Sequence, residues 1–298
     1  MHSSIIITAA NSFFVPFTFE LIESIRALIG TRGVDIGVID VGLSQIERQK
    51  LEEMGVCIKT ARVDIDYQGQ VEFEQKFPFI RAMTSRPFLP DYFPGYQTYL
   101  WMDSDTWLQT SEMLNEVLPY AVDDALYIGA EFDRDYKMLF VSAALWQVHL
   151  NWYRGLFAPD VANKMSLRPM LNSGVFAASA RSPVWGIWQR IYADTLRRVP
   201  VLSQEYFMAD QLSLNVAVYL SELPKQILPA EYNWLCFQSL PAFDGERKTF
   251  VRPGVPHTTL SVLHLANDIK NTPQTIKTSN NSFLRTALTY TAYKELQK

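Results

Sequence analysis

The first 60 residues alternate between short β-branched runs and amphipathic stretches, and this order constrains the fold more than any other feature of the chain. Residues 4–8, 34–41 and 56–60 predict three buried strands, and the segments between them have apolar residues at helical spacing. Ser44 with Glu47 three positions later is typical of a capping box at a helix start. The alternation predicts an α/β fold with a mostly parallel sheet. The chain lacks the glycine-rich dinucleotide motif and the Walker lysine loop, which argues against both of those nucleotide-binding folds.

Composition agrees with one globular domain spanning residues 1–298, because 48% hydrophobic residues can bury a sizeable core. The net charge of −4 gives no indication of a nucleic-acid groove. We expect a cytoplasmic protein without a transmembrane segment, since the N-terminus lacks a basic region and no apolar run approaches about 20 residues. Cys57 and Cys236 have no metal or disulfide spacing, and we expect both to be buried free thiols.

Further along the chain, residues 98–102 and 126–130 predict additional strands. Residues 73–85 predict one helix, and residues 283–296 predict a tail helix. These elements suggest a nucleotide-binding half (residues 1–105), a sugar-binding and acceptor half (106–270) and a C-terminal tail (271–298).

Three Asp-x-Asp triplets occur, at Asp64/Asp66, Asp103/Asp105 and Asp133/Asp135. Only the second follows directly on a predicted buried strand, and ligands of open α/β sheets bind beyond such strand ends. Two carboxylates at this spacing could hold one divalent cation, which could in turn bridge the phosphates of a nucleotide-sugar. A polar turn capped by Asp103 accounts for the local sequence equally well. The other two triplets lie in polar stretches and are expected to be solvated loops.

At this point the residues resemble a known family. Residues 99–108, Tyr-Leu-Trp-Met-Asp-Ser-Asp-Thr-Trp-Leu, resemble the aspartate motif of the retaining glycosyltransferases of family 8, which include glycogenin and bacterial lipopolysaccharide galactosyltransferases. Further segments resemble the family in order: the start of the first strand (residues 8–11), Asn-Ser-Gly-Val (172–175), Asp-Gln-Leu-Ser-Leu-Asn (210–215) and His-Leu-Ala-Asn-Asp-Ile-Lys (264–270). The resemblance implies a GT-A type nucleotide-diphospho-sugar transferase with a mixed, mostly parallel central sheet flanked by helices.

The resemblance also implies a ligand set for the metal and the nucleotide. Mn²⁺, or else Mg²⁺, would bind Asp103, Asp105 and His264, and an imidazole ligand favours Mn²⁺. The residues that would contact the nucleotide and its phosphates are Thr8, Ala9, Asn11, Arg81, Ser104 and Lys270, with Arg86 as a second candidate beside Arg81. Each has an ordinary alternative role, such as a core histidine at position 264 or a solvated lysine at position 270.

For the transferred sugar, the resemblance implies contacts from Asn172 and Ser173, with Gly174 allowing close backbone approach. Asp210 and Gln211 would lie beneath the sugar as catalytic residues. The implied activity is metal-dependent transfer of a hexose from a UDP-sugar to a hydroxyl acceptor, with retention of configuration.

Two positions depart from the family pattern. Asn267 stands where the family usually has glycine, and Asn-Thr at 271–272 replaces Pro-Trp. The acceptor side, expected within residues 131–160 and 234–252, matches no known motif, so the acceptor stays open among glycans, lipid-linked sugars, proteins and small molecules.

Two other functions remain open from the sequence. A nucleotide-sugar-binding protein without turnover would keep the same residues. A haloacid-dehalogenase-type phosphotransferase also uses Asp-x-Asp at a strand end, but it needs a threonine where this chain has Trp107.

Overall fold

The computed structural model describes residues 4–29, 33–137, 143–198 and 207–298. The strands in these residues are β1 (Ser4–Ala10), β2 (Val34–Asp40), β3 (Cys57–Thr60), β4 (Thr98–Met102), β5 (Thr106–Leu108), β6 (Leu126–Ala130), β7 (Leu171–Ser179), β8 (Lys225–Leu228), β9 (Trp234–Leu235), β10 (Ala242–Asp244), β11 (Thr249–Val251), β12 (Val262–His264), β13 (Gln274–Lys277) and β14 (Phe283–Thr286). The α-helices are α1 (Val15–Ile29), α2 (Gln45–Glu53), α3 (Gln70–Lys76), α4 (Ile80–Ser85), α5 (Leu89–Tyr92), α6 (Glu112–Val117), α7 (Ala143–Leu156), α8 (Pro159–Met165), α9 (Val184–Arg198), α10 (Ala209–Leu220) and α11 (Tyr290–Gln297).

The central sheet has seven strands in the order β3-β2-β1-β4-β7-β6-β8. Strands β3, β2, β1 and β4 are parallel, β7 is antiparallel to both of its neighbours, and β6 pairs in parallel with β8. The middle strands β1, β4 and β7 are buried along their whole lengths, with apolar clusters on both faces. The predicted α/β fold with a mixed, mostly parallel sheet flanked by helices is therefore confirmed.

A second, three-stranded sheet of order β5-β12-β9 lies beside the central sheet and has its own apolar cluster around Trp107 and Trp234. β5 follows β4 after three residues, so the two sheets meet at residues 103–105. None of the described helices is long and apolar enough to cross a membrane.

The segment predicted as one helix over residues 73–85 is two helices, α3 and α4, separated by residues 77–79. Pro78 explains the break, because it has no backbone N–H to continue the hydrogen-bond ladder and disfavours helical geometry at Phe77. The capping box at Ser44 is present as predicted, with Glu47 as the reciprocal partner.

The C-terminal tail also differs from the single helix predicted over residues 283–296. Residues 283–286 form β14, which pairs antiparallel with β13, and the helix α11 begins only after Thr289 caps the amide of Ala292. Cys236 is buried as expected, but Cys57 is exposed because it lies on the edge strand β3.

Candidate functional site

Three strand ends meet at one edge of the central sheet. β4 ends there at Met102 and β6 at Ala130, and the antiparallel strand β7 begins there at Leu171. The residues that follow β4 and β6, and the first residues of β7, therefore converge: the amide of Asp103 donates to the carbonyl of Gly174 (2.7 Å). This edge corresponds to the place where α/β sheets bind ligands.

The carboxylates of Asp103 and Asp105 meet the imidazole of His264 at this edge. Strand pairing places His264 opposite Thr106, and the amide of Leu265 donates to the carbonyl of Asp105 (2.8 Å). Nε2 of His264 lies 3.5 Å from Oδ1 of Asp105 and 3.8 Å from Oδ2 of Asp103. One ligand atom from each residue lies within 4.8 Å of the others, a spacing at which the three side chains could hold one ion.

The far side of the His264 ring is fixed by Asn233. Nδ1 of His264 lies 2.9 Å from Oδ1 of Asn233, an amide oxygen that can only accept, so Nδ1 carries the proton. The neutral ring then presents the lone pair of Nε2 to the carboxylates. This is the arrangement of a histidine oriented as a metal ligand by a residue behind it.

Two cations balance the carboxylates. The buried Arg86 donates to both Asp103 and Asp210, and its guanidinium lies over the ring of Trp101, 5.1 Å from the centroid. Lys270 pairs with Asp105. The site thus holds three carboxylates and two fixed cations in a small volume, which leaves room for further positive charge.

These contacts shift the proton affinities of the site. Burial raises the pKa of Asp105, but His264 and Lys270 outweigh burial and hold that pKa well below its usual range. Burial lowers the pKa of His264, yet Asp105 and Asp103 outweigh it and raise the pKa above the ordinary value. For Asp210 burial dominates, so its pKa is raised although Arg86 opposes the shift.

A buried network of amides lies on the other side of Arg86. The carboxamide oxygen of Gln211 accepts from the amide of Ser173 (3.0 Å), while Nε2 of Gln211 donates to Oε1 of Glu131 (2.9 Å). Nδ2 of Asn172 donates to the same Glu131 oxygen (2.8 Å). Asp210 joins the network through Arg86 and the hydroxyl of Ser173. All four predicted sugar-binding and catalytic residues are therefore brought together.

Gly174 separates the two groups, and a side chain there has no space. A Cβ atom on Gly174 would lie 2.3 Å from Cε1 of His264 and 2.9 Å from Oδ2 of Asp103. Glycine at this position is thus required for the imidazole and the carboxylate to approach each other across β7.

A cavity of about 190 Å³ opens beside the carboxylates. Ala9, Asn11 and Ser104 line it together with Arg86 and Asp103. Oδ1 of Asn11 accepts from the amides of residues 13 and 14, so this side chain also fixes the turn into α1.

Two residues predicted to bind the nucleotide lie elsewhere. Thr8 is buried in β1 and does not line the 190 Å³ cavity; its hydroxyl has no hydrogen-bond partner among the described residues. Arg81 pairs with Glu74 at the edge of a neighbouring cleft of about 500 Å³, and only Val41 lines both spaces. Arg86, the second candidate, is the arginine that reaches the carboxylates.

The other two Asp-x-Asp triplets are not the solvated loops that we expected. Asp133 and Asp135 both bind the buried guanidinium of Arg252, which Glu231 also contacts. The carboxylate of Asp64 is buried and accepts from Arg62 (2.7 Å) and Tyr92 (2.6 Å). Sequence polarity misled here because the partner arginine of the third triplet lies over 110 residues away.

Sequence reasoning missed Glu131 and Asn233. Glu131 directly follows β6, the same strand-end signal that singled out Asp103, and this signal could have found it. Asn233 precedes a strand of only two residues, and its contact with His264 spans 31 positions, so no local pattern indicated it.

The chain was compared with known proteins. No protein-family description and no curated protein matches it. Among solved structures, it resembles the galactosyltransferase LgtC, solved with donor and acceptor sugar analogues, at 14% identity and a TM-score of 0.56, over 98% of this chain and 94% of that chain. It also resembles the bifunctional glycosyltransferase WbbM at 13% identity and a TM-score of 0.59, over 99% of this chain, which spans about half (49%) of WbbM. The fold is that of the GT-A glycosyltransferases.

The structure explains one departure from the family motif. Asn267 has a φ of +64°, the left-handed conformation that glycine adopts freely and that asparagine tolerates best among the other residues. The loop that carries Lys270 to Asp105 therefore keeps a backbone conformation suited to glycine. The side chain of Trp107, which replaces the threonine of the phosphotransferase motif, is buried and donates to the carbonyl of Leu288 (2.8 Å).

Proposed function

We propose that this protein is a metal-dependent glycosyltransferase of the family 8 type that transfers a hexose from a UDP-sugar to a hydroxyl acceptor with retention of configuration. One observation carries the proposal: Asp103, Asp105 and His264 converge beside a cavity at the ligand-binding edge of a GT-A fold. The fold comparison supports glycosyl transfer in general, and the motifs support the finer assignment.

The three side chains fit a divalent cation. Two carboxylates and an oriented imidazole are suitable ligands for Mn²⁺, and Mg²⁺ is the alternative with a poorer match to the histidine. When bound, the ion would neutralise the diphosphate of the donor and stabilise UDP as the leaving group. Because His264 must lose a proton to become a ligand, we expect donor binding to weaken as the pH falls.

The chain's own cations would hold the remaining charge of the donor. Lys270 and Arg86 lie beside Asp105 and Asp103, where each could exchange a carboxylate contact for a phosphate oxygen. Ala9, Asn11 and Ser104 line the adjoining cavity and would contact the nucleoside, and the cleft beside Arg81 extends this surface.

The buried amide network would hold the sugar. Asn172, Ser173 and Gln211 offer hydrogen-bonding groups for sugar hydroxyls, and Asp210 would place negative charge beneath the anomeric carbon as positive charge develops there. In the reaction, the bond from the anomeric carbon to the diphosphate oxygen breaks, a bond to the acceptor oxygen forms, and the acceptor hydroxyl loses its proton.

The test is UDP release from a panel of UDP-sugars with Mn²⁺, with Mg²⁺ and with EDTA. We expect slow hydrolysis of one UDP-hexose that stops with EDTA and in Asp105→Ala. Metal-dependent UDP binding without consumption of any donor would instead favour the non-catalytic binding protein. No UDP binding under any condition would contradict the proposal.

A further inference from the structure

A separate pocket of about 330 Å³ lies behind Glu131, on the side of this residue away from the metal ligands. Its volume is within the range of small-molecule sites. We name it the Glu131 pocket; the residues used here that line it are Glu131, Phe132, His149, Leu167, Arg168 and Met170. It lies between the end of β6, helix α7 and the segment before β7, within the acceptor-side region for which no motif exists.

His149 is an unsatisfied polar group in this pocket. Its side chain belongs to α7 and is 8% exposed, and its Nε2 atom has no hydrogen-bond partner in the part of the chain that the structure describes. Burial lowers the pKa of His149, so the ring is neutral near pH 7 and can donate or accept. A buried polar atom without a partner costs free energy, and a ligand group in the pocket would supply the missing hydrogen bond.

Glu131 connects the pocket to the proposed sugar site. Its Oε1 atom accepts from Asn172 and Gln211, whereas no hydrogen bond to Oε2 occurs among the described residues. The amide of Glu131 donates to the carbonyl of Met170 (2.7 Å), which fixes the carboxylate at the wall between the two spaces. A molecule in the pocket would therefore lie one side chain away from the residues assigned to the donor sugar.

The rim and the floor of the pocket differ in chemistry. Phe132 and Leu167 are 49% and 76% exposed, which is high for large apolar side chains. The floor offers the carboxylate of Glu131 and the imidazole of His149, and Arg168 adds a cation at the edge. A pyranose ring matches this division, because its C–H face packs on an aromatic ring while its hydroxyls form hydrogen bonds.

We propose that the Glu131 pocket binds a pyranose unit of a carbohydrate acceptor, with its C–H face on Phe132 and hydroxyls at His149 and Glu131. This inference rests on the proposed function, since the pocket gains an acceptor role only beside a donor sugar. A purely apolar ligand fits less well, because it would leave His149 and Glu131 buried without partners.

The experiment measures binding of methyl β-D-galactopyranoside, methyl β-D-glucopyranoside and lactose to the full chain with UDP and Mn²⁺, by saturation-transfer NMR titration. n-Hexanol serves as an apolar probe. Phe132→Ala is compared with Phe283→Ala, a matched change at an exposed phenylalanine on β14. His149→Leu is compared with His149→Gln, which keeps a hydrogen-bonding nitrogen.

We expect at least one glycoside to bind, and Phe132→Ala and His149→Leu to weaken it roughly tenfold. Phe283→Ala and His149→Gln should leave the affinity near that of the wild type. Should His149→Leu fail to fold, the rim variant Phe132→Ala carries the comparison alone.

Three results would overturn the inference: no glycoside binds, binding is the same in Phe132→Ala, or hexanol binds and displaces the sugar. UDP binding, measured by calorimetry on the same samples, separates the two proposals. If UDP binds with Mn²⁺ and the glycosides fail, only the acceptor site is wrong; if UDP itself fails to bind, the proposed function is wrong.

Discussion

Two Asp-x-Asp triplets of this chain, Asp103/Asp105 and Asp133/Asp135, show how little the bare pattern determines. Both have partly buried carboxylates, and both lie beyond the end of a central strand. Asp133 and Asp135 converge on one guanidinium, that of Arg252. Asp103 and Asp105 instead take separate cations and share the imidazole of His264.

The difference lies in what each carboxylate has left to bind. Arg252 satisfies the second triplet with fixed, hydrogen-bonded geometry, as expected of a structural cluster. In the first triplet the ligand atoms of three residues face one another beside a cavity, and a glycine with no room for Cβ keeps them apart from β7. Convergence without mutual satisfaction is the feature that separates a binding site from a structural contact.

The largest expected effect comes from removing one charge from each triplet. Asp103→Asn should lower metal-dependent UDP release by on the order of 10³-fold, because a metal ligand that stabilises the leaving group is worth several kcal/mol. Asp133→Asn, the matched control, should reduce thermal stability and leave turnover per folded molecule unchanged. Equal losses of turnover in both variants would mean that the two triplets do not differ in function.

The second prediction compares the two buried arginines. Arg252→Met leaves three carboxylates around an uncharged side chain, and we expect it to lower the free energy of unfolding by about 3 kcal/mol, measured by urea denaturation. Arg86→Met should also destabilise the fold, but added Mn²⁺ should restore part of this loss by binding beside Asp103. Restoration by Mn²⁺ in Arg252→Met, or in neither variant, would contradict the assignment of the metal to the first triplet.

The third prediction concerns the spacing that Gly174 maintains. Gly174→Ala places Cβ against His264 and Asp103, so we expect the affinity for Mn²⁺ with UDP to fall by about 10- to 100-fold. Gly186→Ala in α9 is the control, because no atom lies within 4 Å of its added Cβ and alanine favours a helix. Calorimetric titration of both variants checks this, and an unchanged affinity in Gly174→Ala would mean that the imidazole and carboxylate need no such gap.

Much of this comparison could be anticipated from the sequence. The strand before Asp103 is a continuous buried run, and the segments around His264, Asn172 and Asp210 keep the order of the family motifs. The parallel order of β1, β2 and β3 likewise follows from local alternation of apolar residues.

The remainder depends on contacts between distant parts of the chain. The pairing of β12 with β5 sets His264 opposite Thr106, and no local pattern indicates a register across more than 150 residues. The choice between Arg81 and Arg86 had the same origin, because both lie in short helical turns and only the break at Pro78 orients the second one inward. Local chemistry indicated the candidates, and the topology decided which of them meet.

The smallest effect that we predict is at Asn233, which distinguishes the first triplet from the second by supporting an imidazole. Asn233→Ala removes the acceptor for Nδ1–H of His264, so the ring can take the other tautomer or rotate, and Mn²⁺ affinity should fall by about tenfold. Asn233→Asp keeps an acceptor for the ring but loses the amide that donates to Asn172 (2.9 Å). We therefore expect Asn233→Asp to retain metal affinity and to lose donor-sugar turnover, measured by UDP release at saturating Mn²⁺. If both variants lose metal affinity equally, Asn233 acts by packing alone, and the orientation of His264 is set by the pairing of β12 with β5.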